Sequence, residues 1–502
     1  MGRALEIPLK EIDYICNNLD DKEEEFREQY KELFKYVDIV KGTIVSAGVH
    51  ASGTMVSPIP LDTNIGICSL STTNKPVTMI QMKEIDALKF VKLDLLGLDN
   101  IGVINETCKL AGIERLNPDN MDYNDDKVYN SIIEDTTTIF QMESTMAQDY
   151  LKRILSDKTF NKIKARYPKI TKFDLLKFTN GAIRPSGESF REDASKGICG
   201  SNGLKEIDDF LYDTLGYCLV QEQIMMFLVN FCGYSMAESD LVRRAIAKKG
   251  GTEQYIEEIT SRFISYSCDK FNITKEEAKK IIIPFTKVII DAQNYGFSEN
   301  HNFPYSSTSY ASAYLRYYYP LEYLSSASNM WSGDEEKTLR ITNYCNKLNI
   351  QILHPKFRYA KGKYFMDKES NCIYKGIGSI KFLNEEIGDK LYELKDIKVN
   401  NFIELLPYIF NIKINSKQLD ILIKLDYFSE FGNPNQLLKY VELYNQWYNR
   451  KTLKKDKLSE YNVTEEYMRK YANETEKQFN KIDNESILKD LASKVDIKTS
   501  GY

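Results

Sequence analysis

The chain has 502 residues, with Lys+Arg 67 against Asp+Glu 72 and a formal net charge of −5. That length allows roughly three domains, the 42% apolar content allows sizeable cores, and the mild acidity does not by itself mark a nucleic-acid binder, although local basic patches matter more than the total. The nine cysteines are scattered without a C-x-x-C pair, which argues against zinc and disulfide frameworks and for a reducing compartment. No signal-peptide core and no membrane-length apolar run occurs, so a cytoplasmic, multidomain protein without membrane contact is expected.

Residues 1–45 read as helical with a charged middle. From 46 to 98 the texture changes: Gly48, Gly53, Pro58 and Pro60 punctuate short β-like runs such as Thr54-Met55-Val56 and Pro76 to Ile80, which predicts a small sheet. In the stretch Ser46 to Gly53 small residues surround His50, either a His aimed into a site or a core His in a tight turn. Residues 89–98, K-F-V-K-L-D-L-L-G-L, are apolar except at Lys89, Lys92 and Asp94, as in a strand buried on both faces or one entering a turn. A buried carboxylate is costly unless compensated. Lys92 or a bound metal ion could compensate Asp94; alternatively Asp94 caps a helix starting near Asn100.

Residues 100–345 are mainly helical in pattern. The basic segment Lys152 to Lys177 is either a solvated face or a contact to a nucleic-acid backbone. In Gly181 to Gly187, Arg184 stands between Gly and Pro, a placement suited to bidentate phosphate binding or to an ordinary turn. Ser235-Met236-Ala237-Glu238 is a capping box and Gly250-Gly251 a helix stop. Between them Arg243, Arg244, Lys248 and Lys249 repel one another unless an anion such as a triphosphate or DNA backbone lies near, although cations are also favoured at a helix C-terminus. A further helix is expected over 275–293. The stretch Tyr295 to His301 and the Tyr-rich run 303–319 read as core or as base-stacking rings. Around 346–440 the run Cys372 to Gly378 closes on a Gly-x-Gly turn. It resembles the hairpin of a helix-hairpin-helix element, in which Lys375, Gly376 and Gly378 would meet a DNA phosphate. Gln418 to Leu422 looks like a clamp-binding peptide, but its helical pattern favours a place in the core. The tail from about 440 is polar and helical in pattern.

Singly these signals are weak, but their order is specific. H-A-S-G at 50–53, K-L-D-L-L-G-L at 92–98, T-I-F-Q-M-E-S at 138–144, R-P-S-G at 184–187, V-Q-E-Q-I-M at 220–225, the 233–249 helix motif and Y-G-F-S-E-N-H at 295–301 run in the order of one family. The sequence resembles the alpha subunit of bacterial DNA polymerase III, a C-family replicative polymerase, from residue 2 to about 440. The resemblance implies a mixed α+β, mainly α fold: end of the thumb (1–45), second half of a nucleotidyltransferase-type palm sheet (46–98), helical fingers (99–345), a helix-hairpin-helix and clamp-docking region (346–440), and a polar helical tail (441–502). It implies that Asp94 is the third catalytic carboxylate and a metal ligand, that Lys92, Arg243 and Arg244 face the triphosphate with Lys248, Lys249 and His50 nearby, and that Arg184 and His301 lie toward DNA. Two Mg2+ ions, deoxynucleotides, a DNA primer-template, the sliding clamp and other replisome subunits are implied with it.

The sequence also departs from the family. The P-D-x-D-x-D-F strand with two further aspartates does not occur, Glu299 stands where Lys is usual, and Ser186-Gly187 stand where Gly-Pro is usual. The expectation is a C-terminal part of a split or truncated, possibly phage-type polymerase, inactive without an N-terminal partner. The alternatives are a non-catalytic DNA- or clamp-binding replication factor, or a fragment of a longer chain.

Overall fold

The computed structural model describes residues 1–44, 47–50, 52–70, 75–95, 97–184, 187–247, 252–291 and 297–447. The fold is mainly α with small sheets, as the sequence pattern predicts. It divides into two compact units, Met1–Leu98 and Asp99–Tyr502.

The first unit begins with helices Leu9–Asn17, Leu19–Gln29 and Lys31–Val40, which pack through Ile15, Phe26, Leu33 and Phe34. Arg27 ties the second to the third by a two-pronged bond to Asp38, 2.9 and 3.0 Å. Short strands follow: β1 (Gly53–Val56), β2 (Ile67–Ser69), β3 (Pro76–Thr78) and β4 (Val91–Asp94). β1 pairs antiparallel with β4, and β2 with β3. The helix Met82–Ala87, with a capping box from Gln81 and Glu84, leads into β4. The strand at Asp94 is present, but it is not buried on both faces. Its only strand neighbour among the described residues is β1, and Val91, Leu93 and Leu95 are 57%, 45% and 71% exposed. Asp94 therefore carries no burial cost. It also does not cap the next helix, which begins at Asp99.

The second unit is built on the helix Glu299–Tyr318, which packs against helices Asp99–Ala111, Asp126–Glu134, Lys172–Ala182 and Pro320–Met330. Small residues permit this crowding. Tyr310 and Ala313 enter one hydrophobic core, Ala311 and Leu315 another. The hydroxyls of Ser306, Thr308 and Ser309 donate to carbonyls one turn back, at Asn302, Pro304 and Tyr305, so their burial leaves few polar groups unpaired. Much of the Tyr-rich run is thus core. Helices Gln221–Cys232, Met236–Ala247, Thr252–Phe271 and Lys275–Asp291 surround an aromatic core in which Phe227 lies over Phe285 at 3.7 Å and 14°.

Beyond residue 350, strands β5 (Gln351–Leu353), β6 (Phe365–Asp367) and β7 (Cys372–Tyr374) form a sheet in the order β5-β7-β6. Helices Glu385–Glu393, Phe402–Asn411, Ser416–Lys424 and Pro434–Trp447 bury a core that includes Leu419 and Leu422, 1% and 0% exposed, so the clamp-like run is core. The hairpin expected at 372–378 requires correction. Cys372–Tyr374 is the central strand, not a helix. The amides of Ile377 and Gly378 donate to the carbonyls of Lys361 and Gly362, at 3.0 and 2.8 Å. A Cβ on Gly376 would meet the Lys363 carbonyl carbon at 2.5 Å. These glycines serve close packing of backbone on backbone, and the amides of Ile377 and Gly378 are not free for a phosphate.

No helix of the described residues is long and apolar enough to cross a membrane.

Among the described residues the deepest charged side chain is Arg316, 1% exposed. Its guanidinium donates to the carbonyls of Thr137, Ser131 and Asp135, at 2.6, 3.0 and 2.6 Å. Replacing it with Met leaves the Asp135 carbonyl without a donor and removes one of two donors from the Ser131 and Thr137 carbonyls, which still accept from the Asp135 amide and the Thr138 hydroxyl, so Arg316→Met should cost on the order of 2–3 kcal/mol; the mixed-exposure Arg340, paired with Glu336, should cost under about 1 kcal/mol as Arg340→Met. Urea and thermal unfolding of the two variants measure the difference. Nearby, burial pushes the Asp135 carboxyl up, but its bonds from Lys347 and Thr137 outweigh this and hold it below the usual range. A carboxyl held low contributes stability above the usual carboxylate range and loses it as pH falls through its own folded value. Asp135→Asn should therefore make unfolding less sensitive to acid below about pH 4, followed by thermal melts across a pH series.

Candidate active site

The first cluster forms where β1 and β4 pair. The register sets Gly53 opposite Asp94 and Met55 opposite Lys92, and strand alternation places Lys92 and Asp94 on one face. The Lys92 ammonium lies 3.1 Å from the Asp94 carboxylate, and His50 Nε2 lies 3.2 Å from Lys92 and 3.9 Å from Asp94. Three sequence-predicted residues thus converge. Asp94 and His50 are more than half exposed, while Lys92 is mostly covered. A Cβ on Gly53 would meet Lys92 Cε at 2.6 Å and His50 Nδ1 at 2.9 Å, so the missing side chain at Gly53 is needed for this approach.

The hydrogen bonds define the tautomer of His50. Its Nδ1 accepts from the amides of Ser52 and Gly53, at 3.2 and 2.7 Å, which requires a neutral ring with the proton on Nε2. Nε2–H then lies beside the Lys92 ammonium, which donates to the Asp94 carboxylate, while Nε2 at 3.9 Å is too far from Asp94 for a hydrogen bond. Such a group can receive a further anionic oxygen. A metal ion is less well served. Among the described residues no group of three or more His, Cys, Asp or Glu side chains comes together to hold one. Mg2+ wants six oxygen ligands, commonly one or two carboxylates plus water and phosphate. Asp94 alone, with an ammonium on it, does not fit the two ions that the resemblance implies.

In the second unit, Arg243 and Arg244 lie on the helix Met236–Ala247, whose start carries the expected capping box, with Ser235 and Glu238 bonded reciprocally. The anion that these arginines need is already present on the helix. Asp240 accepts from Arg243 and from Arg244 at 2.8 Å each, and the pair holds its carboxyl below the usual range. Arg243 also donates to Gln221 at 2.8 Å. The carboxylate of the adjacent Glu222 accepts from the Ser298 hydroxyl and the Glu299 amide, at 2.7 and 2.9 Å, capping the helix Glu299–Tyr318. Asp240, Gln221 and Glu222 were missed as site residues. The i+3 and i+4 spacing of D-L-V-R-R was the available signal for the first. Lys248 and Lys249 lie outside the described residues.

Arg184 and His301, 117 residues apart, come to one aromatic cluster: Arg184 sits over the Phe297 ring at 4.2 Å, and Phe297 and His301 both pack on Tyr305. Arg184 has no acidic partner within ion-pair distance among the described residues, and burial draws its pKa down. It remains a positioned cation. Pro185 and Ser186 lie outside the described residues. The basic segment 152–177 is largely engaged internally, through Arg153–Glu192, Lys172–Asp126 and Lys177–Asp174, as expected of a solvated face.

Comparison with known proteins places these features in one class. Residues 1–97 match the model described as the bacterial DNA polymerase III alpha NTPase domain, and residues 193–269 the model of the alpha subunit finger domain. Over these stretches the chain is similar to bacterial DNA polymerase III alpha subunits. It is 25% identical over 497 residues to the DNA polymerase III subunit alpha of Ureaplasma parvum, covering 93% of this chain and 49% of the relative. It is 27% identical to that of Campylobacter jejuni, covering 81% and 33%, and 25% identical to that of Bacillus subtilis, covering 81% and 35%. The chain thus spans between about a third and a half of the length of these curated relatives.

If Arg243 and Arg244 bind a triphosphate, Asp240 competes with it. Asp240→Asn should then raise affinity for inorganic tripolyphosphate roughly three- to tenfold, and Arg244→Gln should lower it, both measured by calorimetry. Unchanged affinity in both variants would rule these arginines out as the binding group.

Proposed function

We propose that this chain is part of a DNA-directed DNA polymerase, acting in replication to add deoxynucleotides to a primer 3′ end. The convergence of Asp94, Lys92 and His50 on the β1–β4 pair carries the reading. Lys92 and the Nε2–H of His50 hold anionic oxygens by charge-assisted bonds. Asp94 is one carboxylate of a Mg2+ site, and Arg243 and Arg244, with Lys248 and Lys249, bind the triphosphate. Arg184 and His301 contact the DNA. The sliding clamp and other replisome subunits are the further partners, and the cytoplasm is the place of action.

The single carboxylate argues that the site is completed by residues outside this sequence, which carry the two remaining aspartates. The open β1–β4 pair supports this: a strand pair with exposed Val91, Leu93 and Leu95 is incompletely covered and offers edges to further strands. A non-catalytic replication factor is the competing reading, and the ammonium seated on Asp94 is the observation that favours it.

The test is complementation. This chain is co-purified with a polypeptide from the same genome that carries P-D-x-D-x-D-F, and primer extension is assayed. The mixture should extend a primer, the chain alone should not, and Asp94→Ala should reduce extension by roughly a thousandfold or more, the scale of losing electrostatic stabilisation at the reacting centre. Undiminished extension by the Asp94→Ala mixture removes Asp94 from the chemistry. Absence of any such polypeptide favours the non-catalytic reading.

A further inference from the structure

The β5-β7-β6 sheet has one face in the core and one that the core does not explain. Ile352, Ile373 and Met366 pack into the cluster formed with Leu315, Leu324 and Ile341. By alternation the other face carries Leu353, Tyr374 and Phe365, and the register places these three in one row across the sheet. Tyr374 lies over against Phe365 at 6.3 Å and 25°, and against Tyr359 at 5.8 Å and 12°. Tyr359, Tyr374 and Phe365 thus present near-parallel rings, like tiles. None of them joins the hydrophobic cores on either side of the sheet, and Tyr359 is 56% exposed.

Cations surround the tiles. The Lys361 ammonium lies 4.3 Å from the Phe365 centroid and 4.9 Å from that of Tyr392, and Lys395 lies 4.5 Å from Tyr392. Neither Lys361 nor Lys395 has an acidic partner within 4.0 Å among the described residues. Asp367, on this face of β6 by alternation, already accepts from the Ser370 hydroxyl at 2.7 Å and the Glu369 amide at 3.0 Å.

We infer that this outer sheet face is a stacking platform for single-stranded nucleic acid, with Tyr359, Tyr374 and Phe365 receiving bases and Lys361 and Lys395 the backbone phosphates. Near-parallel aromatic rings interleaved with unpaired lysines are the chemistry that binds unpaired bases without regard to sequence. The surface stack is otherwise unexplained, because its rings contribute to no core. An acidic peptide would use the lysines but not the ring faces, and an apolar partner would leave the lysines without anions. The inference does not depend on the polymerase reading.

Anisotropy of a fluorescein-labelled oligothymidylate and of the matching oligouridylate, titrated with the full chain at several salt concentrations, tests it. Because Tyr359 is exposed, Tyr359→Ala should leave the circular dichroism unchanged. It should weaken binding roughly five- to hundredfold, the range for one lost base stack, and Tyr359→Phe should restore affinity to within about twofold of wild type because the ring face suffices. Lys361→Gln with Lys395→Gln should lower the salt slope by about 0.7 for each phosphate contact removed. A stronger signal with either oligomer decides between DNA and RNA. No binding by the wild-type chain, full binding by Tyr359→Ala combined with Tyr374→Ala, or failure of Tyr359→Phe to restore binding would each overturn the inference.

Discussion

A buried guanidinium organises the larger unit. Arg316 reaches from the central helix to the end of the helix Asp126–Glu134 and supplies three hydrogen bonds, one to the Ser131 carbonyl of that helix and two to the Asp135 and Thr137 carbonyls of the connection after it. That connection is strained: Thr138 and Gln141 adopt positive φ, 65° and 64°, a region disfavoured for a β-branched residue above all. Such backbone persists only where its surroundings over-determine it. Here the Thr138 amide donates to Glu143, its carbonyl accepts from the buried Tyr323 hydroxyl, and the Phe140 carbonyl accepts from Ser309. The T-I-F-Q-M-E-S motif is thus a structural brace, locked by side chains from residues almost two hundred positions later.

The same economy of polar groups governs the smaller unit, with a different outcome. There the polar residues stand on an exposed strand pair, and the apolar residues of β4 stand beside them in solvent. A strand as apolar as 89–98 ordinarily lies between layers. Its exposure beside a converged Asp94, Lys92 and His50 gives the proposed incompleteness of the site two independent supports: one carboxylate where two ions need more, and a sheet with too few strands to bury its own faces. In the finger-type segment the arginines are paired within their own helix, both held by Asp240.

Local signals were legible where one physical cause dominated. The capping box at Ser235, the helix over 275–291 and the strand ending at Asp94 each follow from spacing that no tertiary contact overrides. The convergence of His50 on Lys92 was not readable from periodicity, because it depends on the β1–β4 register and on the missing Cβ of Gly53; only the ordered motifs pointed to it. The depth of β4 was misjudged because an apolar run reports what a strand could bury, not whether partners are there to bury it. The glycines at 376 and 378 were misassigned for a related reason. Gly-x-Gly signals close approach of backbone, and here what approaches is the chain at 361–363, not a ligand. The ring tiles of the last sheet escaped notice because Tyr359, Phe365 and Tyr374 meet only through sheet register.

The central claim is that Asp94 is one corner of a metal-dependent site that these residues do not complete. Electron paramagnetic resonance of the chain titrated with Mn2+, a spectroscopic substitute for Mg2+, addresses it directly. The account predicts no spin-coupled pair of Mn2+ ions on the chain by itself, at any stoichiometry below saturation of weak surface sites. A coupled pair formed by the chain alone, and abolished by Asp94→Asn, would mean that the site is already complete and would contradict the account.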